Sequence, residues 1–163
     1  MSFPIIDSHQ HVWDPTRAEY DWLDASLAPI DRAMEFEELE PQPAAAGVDF
    51  AVLVQSADNH EDTALMIDTA QRHARVAAIV GYAPLGDPAG TADTLGSWAG
   101  NSLLVGARNL IHNIPDADWL LRPEQDPDRC LRIVKEKDGG IVVLGARFVT
   151  LAPFSHEMQI APT

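Results

Sequence analysis

Apolar residues in this chain come in short runs, and the stretches between them place their apolar positions at helical spacing. The run Phe3-Pro4-Ile5-Ile6 leads into Asp7-Ser8-His9, so residues 3–9 read as a buried strand with polar groups arriving at its end. Residues 13–30 have no clear period and carry turn-forming clusters around Pro15 and Pro29, as expected of a loop over the mouth of a site. Residues 35–46 are helical in composition, but Pro41 and Pro43 should break or offset the helix, and Gly47 reads as a helix stop. Residues 49–56 form a continuous apolar run of the kind a parallel strand covered on both faces requires. In 60–74, Leu65, Met66, Ile67 and Ala70 share a helical stripe, with acids early and Arg72 and His73 late, matching the helix dipole. A third strand is predicted over 75–85, a weaker helix over 91–100 and a fourth strand within 102–112. Strands that alternate with helices in this way form a parallel sheet.

The grammar changes after residues 122–128. From Cys130 to Ala152 two alternating or apolar runs flank Lys137-Asp138-Gly139-Gly140, a hairpin signal and therefore antiparallel pairing. Charge changes at the same place. Residues 1–124 hold 20 acidic and six basic side chains, every base an arginine, whereas residues 125–163 hold five of each, including both lysines, Lys135 and Lys137. The chain is therefore divided into 1–124 and 125–163.

At 163 residues and 46% hydrophobic content the chain can bury a real core. It contains no apolar run near the ~20 residues that span a bilayer and no basic, apolar leader, so a soluble cytoplasmic protein is expected. A net charge of −14 disfavours nucleic acid or an anionic membrane as partner. The single cysteine, Cys130, excludes an internal disulfide and a thiolate metal site and reads as a small half-buried residue.

The chemistry concentrates at His9 and His11. Residues i and i+2 of a strand project to the same side, so two imidazoles can face one ion, and imidazole suits Zn²⁺ and related metals. Two surface histidines flanking Gln10 would look the same, but their place at the end of the opening strand favours metal binding. Gln55 and Ser56 end the second strand and can reach the same pocket. His60 and His73 read as solvated, in a loop and at a helix end. Trp13, Trp22, Trp98 and Trp119 read as packing residues, with Trp13 and Trp22 also placed to line a ring-binding pocket.

The stretch IIDSHQHVWD, followed in order by AAGVDFAVLVQS, RVAAIVGYAPL and GARNLIHNIPDADWLLRPE, resembles the amidohydrolase superfamily over about residues 4–124. The likeness is to its amidohydrolase-related branch of sugar lactonases, pyrone-dicarboxylate hydrolase and related enzymes. It implies an α/β fold: a partial (β/α) TIM barrel of about four βα units, the N-terminal half of a barrel that takes ~250 residues, followed here by a C-terminal antiparallel β-hairpin. It further implies a divalent metal, zinc by preference, on His9 and His11, which in metal-free members of the family are substrate-site residues instead, and a small-molecule substrate, a lactone or a carboxylate-bearing compound. The family's Gly-x-Arg segment matches Gly106-Ala107-Arg108, and Arg108 with His112 would hold a substrate carboxylate or lactone carbonyl. The alternative for Arg108 is an ordinary ion pair with one of the many acids.

The family's later-strand histidines and eighth-strand aspartate have no counterpart here, so metal-dependent lactone hydrolysis is expected to be impaired. The alternative is a non-catalytic α/β module with weak metal binding, or one that self-associates through exposed sheet edges. Residues ~126–163 resemble a fragment of the flavin-dependent 4-hydroxyphenylacetate 3-monooxygenase large component through the segment GIVVLGAR. That suggests a fusion joined between Glu124 and Asp128 and, as a third reading, an aromatic hydroxylase fragment with no assignable catalytic residue.

Overall fold

A computed structural model of the chain describes residues 3–110 and 115, and the backbone alone over 132–137 and 140–144. The chain divides into two units, Met1–Asn113 and Ile114–Thr163.

In the first unit four strands, β1 (Ile6–Gln10), β2 (Phe50–Val54), β3 (Val76–Tyr82) and β4 (Leu104–Arg108), pair in parallel in the order of the sequence. Helices α1 (Phe36–Leu39) and α2 (Pro41–Ala45) precede β2, α3 (His60–Arg72) joins β2 to β3, and α4 (Pro88–Ser97) joins β3 to β4. Strands alternating with helices in a parallel sheet are the architecture of a partial (β/α) barrel. The core lies between sheet and helices: Ala51, Leu53, Val76 and Ile79 pack with Leu65 and Met66 of α3, and with Phe36 and Val12. Leu53 and Ile79 are fully buried, each such side chain stabilising by about 1.5–3 kcal/mol.

Local signals account for the element ends. The helix expected over 35–46 is split at Glu40, where Pro41 opens α2 without an N–H to continue the first ladder. Gly47 follows with φ +80°, a conformation that favours glycine. Helix α3 is capped by Asn59, whose side chain accepts from the Asp62 N–H. Helix α4 starts at Pro88 rather than near residue 91, because Asp87 accepts from the Ala89 N–H and Pro88 is preset for a first turn.

Two expectations are corrected. The opening strand is not buried along its length: Ile5 and Ile6 are 56% and 50% exposed, because β1 pairs only with β2 among the described residues and lies at a sheet edge. His73 is not solvated. Its side chain is 14% exposed, its ring tilted at 50° against Phe36 at 5.1 Å and its Nε2 2.8 Å from Glu37, since the end of α3 turns it back over α1. His60, at the start of α3, is exposed and meets Tyr82 edge-on at 5.3 Å. Trp98 packs against Gly81, as a packing residue should.

The second unit contains β5 (Arg132–Lys137) and β6 (Gly140–Leu144), antiparallel, with Lys137 opposite Gly140 as the hairpin signal requires. Trp119 and Cys130 lie outside the described residues.

Candidate metal and substrate site

The ends of β1, β2 and β4 carry the groups singled out above. Alternation along β1 sends Gln10 to the helix face, where it is buried beside Phe36, Pro43 and Ala51, and leaves His9 and His11 on the other face. The Asp7 carboxylate accepts from the His9 N–H at 3.1 Å, fixing the strand end. His11 Nδ1–H donates to the Val54 carbonyl, the last residue of β2, at 2.8 Å. That bond commits His11 to the tautomer with an unprotonated Nε2, which accepts from His9 Nε2–H and is the form of nitrogen a metal binds.

The two rings meet at Nε2, 3.1 Å apart, with centroids 4.8 Å apart and planes at 76°. Two imidazoles bound to one zinc at ~2.05 Å in tetrahedral geometry hold their nitrogens roughly 3.3 Å apart, so the pair fits one ion with little movement. Partial desolvation, slighter at the exposed His9 than at the half-buried His11, holds both imidazoles below their ordinary pKa. In His9 the Arg108 charge adds to this against a smaller pull of Asp7; in His11 the Val54 bond opposes burial, and the His9 and Arg108 charges add smaller downward contributions. Both are therefore neutral near pH 7, the form that ligates metal. Among the described residues no third His, Cys, Asp or Glu joins them.

Beside His11 a cavity of about 170 Å³ is lined by Trp13, Trp22, Ser56, Arg108 and Leu110. The mouth loop supplies its aromatic wall and is pinned at several points. Trp13 and Met34 exchange backbone hydrogen bonds, Trp13 Nε1 donates to the Ile30 carbonyl at 3.1 Å, and Trp22 Nε1 donates to the Ser56 carbonyl at 2.8 Å. The two indoles stand edge to face at 5.4 Å. Ser56 reaches the cavity as expected. Gln55 instead is fully buried, its Nε2 donating to Asp58 Oδ1 and to the Arg108 carbonyl.

Arg108 ends β4 and is half-buried, which lowers its pKa without removing its charge. Its Nη1 donates to the Gln55 carbonyl at 3.0 Å. Arg17, Arg32, Arg72 and Arg75 each pair with a carboxylate, whereas Arg108 forms no ion pair with any described residue. His112 lies outside the described residues.

Three contributors escaped the sequence reading. Asp62, at 0% exposure, accepts from Tyr20 O–H at 2.9 Å, from the Ser56 N–H at 2.9 Å and from Ser56 Oγ at 3.2 Å, tying the mouth loop to the end of β2. Burial pushes the Asp62 carboxyl up against the pull of these donors, and burial with the Asp62 charge pushes the Tyr20 hydroxyl up. Asp58 accepts from Gln55, Asn109 and Leu110. The residues themselves gave no signal beyond Asp62 standing in an acidic first helical turn.

Comparison with known proteins places these residues in a family context. The amidohydrolase family model matches residues 6–161, and so runs on through the segment that by itself resembled a monooxygenase. An L-fucono-1,5-lactonase from Burkholderia ambifaria is 35% identical over 122 residues, 75% of this chain and 42% of that protein. A second, from Burkholderia multivorans, is 32% identical over 111 residues, 68% of this chain and 36% of that protein. The chain thus spans well under half the length of the curated relatives it matches. A zinc-bound crystal structure of an amidohydrolase from Burkholderia multivorans superposes with a TM-score of 0.60 at 30% identity, over 72% of this chain and 40% of that one.

Proposed function

This chain belongs to the amidohydrolase family, and from that premise we propose that the ends of β1, β2 and β4 build the metal- and substrate-holding part of a lactone hydrolase site. The observation that carries the reading is the convergence of His9 and His11 at 3.1 Å beside an arginine that no described carboxylate neutralises. His9 and His11 would hold the divalent ion. The zinc-bound neighbour and the chemistry of two neutral imidazoles favour zinc. When bound, zinc supplies Lewis-acid polarisation of a carbonyl and a water of lowered pKa.

The remaining roles belong to the chain itself. Arg108, with its unused N–H groups on the cavity, holds a carboxylate or the carbonyl oxygen of a lactone, and His112 is proposed to act beside it. Trp13 and Trp22 offer apolar faces to a ring and exclude water from one side. The substrate is a small molecule, and the relatives' names make L-fucono-1,5-lactone the first compound to test.

The zinc-loaded chain is expected to hydrolyse that lactone at an impaired rate, as followed by proton release, since no third ligand joins the histidines among the described residues. His9→Ala/His11→Ala should lose at least ~100-fold in rate, and Arg108→Ala should raise KM about tenfold with a smaller effect on kcat. Turnover indifferent to both changes would refute the assignment. No turnover by the zinc-loaded chain would leave the second reading, a module that holds metal without catalysis, which the absence of a third ligand among the described residues favours.

For residues 125–163, a fusion with a monooxygenase fragment remains the alternative. The antiparallel β5–β6 pair and the charge balance of that segment favour it, and the family match across the junction weighs against it. Resequencing the gene across codons 120–130 tests it: a neighbouring frame that restores barrel sequence supports fusion, and the absence of such a frame counts against it.

A further inference from the structure

We propose that Asp58 is a positioning residue for Arg108, acting with Gln55 as a clamp between the ends of two strands that are not neighbours. The proposal rests on the reading of Arg108 as the group that holds the substrate's oxygen atoms. Strand β3 lies between β2 and β4, so no ladder of the sheet couples the end of one to the end of the other. Side chains do it instead. Gln55, just past β2, donates from Nε2 to Asp58 Oδ1 at 3.0 Å and to the Arg108 carbonyl at 3.3 Å. The same Asp58 oxygen accepts from the Leu110 N–H at 2.8 Å, and its partner oxygen accepts from Asn109 Nδ2. Arg108 closes the loop by donating from Nη1 to the Gln55 carbonyl at 3.0 Å. The carbonyl of Arg108, the two residues after it and its guanidinium are thus all anchored to residues 55–58.

The choice of donors matters as much as their number. A carboxylate has about four lone-pair sites, and here three are filled by the neutral donors of Gln55, Leu110 and Asn109. Asp58 acts on the Arg108 charge through space but does not enter ion-pair distance of it. In a chain with 25 acidic and 11 basic residues, an arginine beside an aspartate would ordinarily be consumed by it. Occupying most of Asp58 with neutral donors lets it fix the aim of Arg108 and leave the remaining N–H groups for a ligand. Geometry, rather than the Asp58 charge, is what the clamp supplies.

Two readouts on the zinc-loaded full chain test this. One is the side-chain Nε–H NMR resonance of Arg108, assigned by its loss in Arg108→Lys. The other is calorimetric affinity for L-fuconate, the open-chain carboxylate that hydrolysis of the relatives' lactone gives. Asp58→Ala is expected to collapse the Arg108 resonance toward the position of a solvated arginine and to weaken L-fuconate binding about tenfold. Asp58→Asn, which keeps the Oδ1 acceptor for Leu110 and Gln55 but loses the one for Asn109, is expected to restore most of both, falling short by no more than Asn109→Ala does. Asn109→Ala removes one arm at the surface and should shift both readouts in the same direction by less, which keeps the test open should Asp58→Ala not fold. A purely structural Asp58 would lower the melting temperature while the Arg108 resonance stayed in place, and that result overturns the proposal, as does a failure of Asn to rescue. If the resonance responds as expected but the unmodified chain does not bind L-fuconate, the clamp stands and the ligand role of Arg108 falls.

Discussion

His11 illustrates how a single backbone acceptor sets chemistry: the Val54 carbonyl accepts from the Nδ1–H and thereby turns the Nε2 lone pair toward His9. This pair was legible because strand alternation alone puts positions 9 and 11 on one face. Arg108 was legible as a candidate, but the choice between an ion pair and a free guanidinium depends on which acids fold near it, and the structure shows none in contact among the described residues. Asp62 and Tyr20 were not legible, because their bond spans 42 positions between a loop without period and a helix. Asp62→Ala strands Tyr20 O–H and the Ser56 N–H and is expected to cost about 1–3 kcal/mol in urea unfolding. The sign of its pH dependence follows from burial. Since the folded state raises the Asp62 pKa, it takes up that proton more readily than the unfolded chain does, so the stability tied to Asp62 is greatest at low pH and declines as pH rises through the raised value. The gap in unfolding free energy between the two proteins should accordingly narrow from acidic toward neutral pH, and a widening gap would contradict this account of the buried carboxylate.

At the scale of elements, helices and inner strands were readable from periodicity, and their ends from caps and breakers. Pro41 splits the helix as expected, Pro43 is instead accommodated in the first turn of α2, and Gly47 takes the left-handed conformation of a stop. The start of α4 was missed because Asp87-Pro88 is both a turn signal and a helix start, and only the Ala89 N–H tells them apart. Asn59 serves two elements at once, capping α3 and donating from Nδ2 to the Glu19 carbonyl of the mouth loop at 2.8 Å. Asn59→Ala should therefore lower stability by about 1 kcal/mol, at the level of a lost cap, in thermal unfolding, while Asn59→Ser, which keeps an acceptor, should recover most of it.

Across the whole molecule, what the sequence could not convey is which strands have neighbours. Phe3, Ile5 and Ile6 near β1, and Val105 in β4, read as core residues by composition yet are more than half exposed or close to it, at 92%, 56%, 50% and 62%. Each flanking strand pairs on one side only among the described residues. Exposed apolar edges of this kind promote association between chains. Sedimentation of the unmodified chain is expected to show concentration-dependent self-association that Ile5→Lys/Val105→Lys reduces; a monomer at every concentration would show the edges to be covered. Charge acts the other way, since a net −14 makes copies repel, so the association should strengthen with added salt.

The most direct test of the account is a calorimetric zinc titration of the metal-free chain at pH 7, repeated with His9→Ala/His11→Ala and followed by histidine ¹⁵N NMR. One ion per chain is predicted, with both Nε2 resonances moving on binding and Nδ1 of His11 remaining protonated toward Val54. Zinc uptake that survives the double substitution, or binding that leaves either Nε2 unmoved, would contradict it.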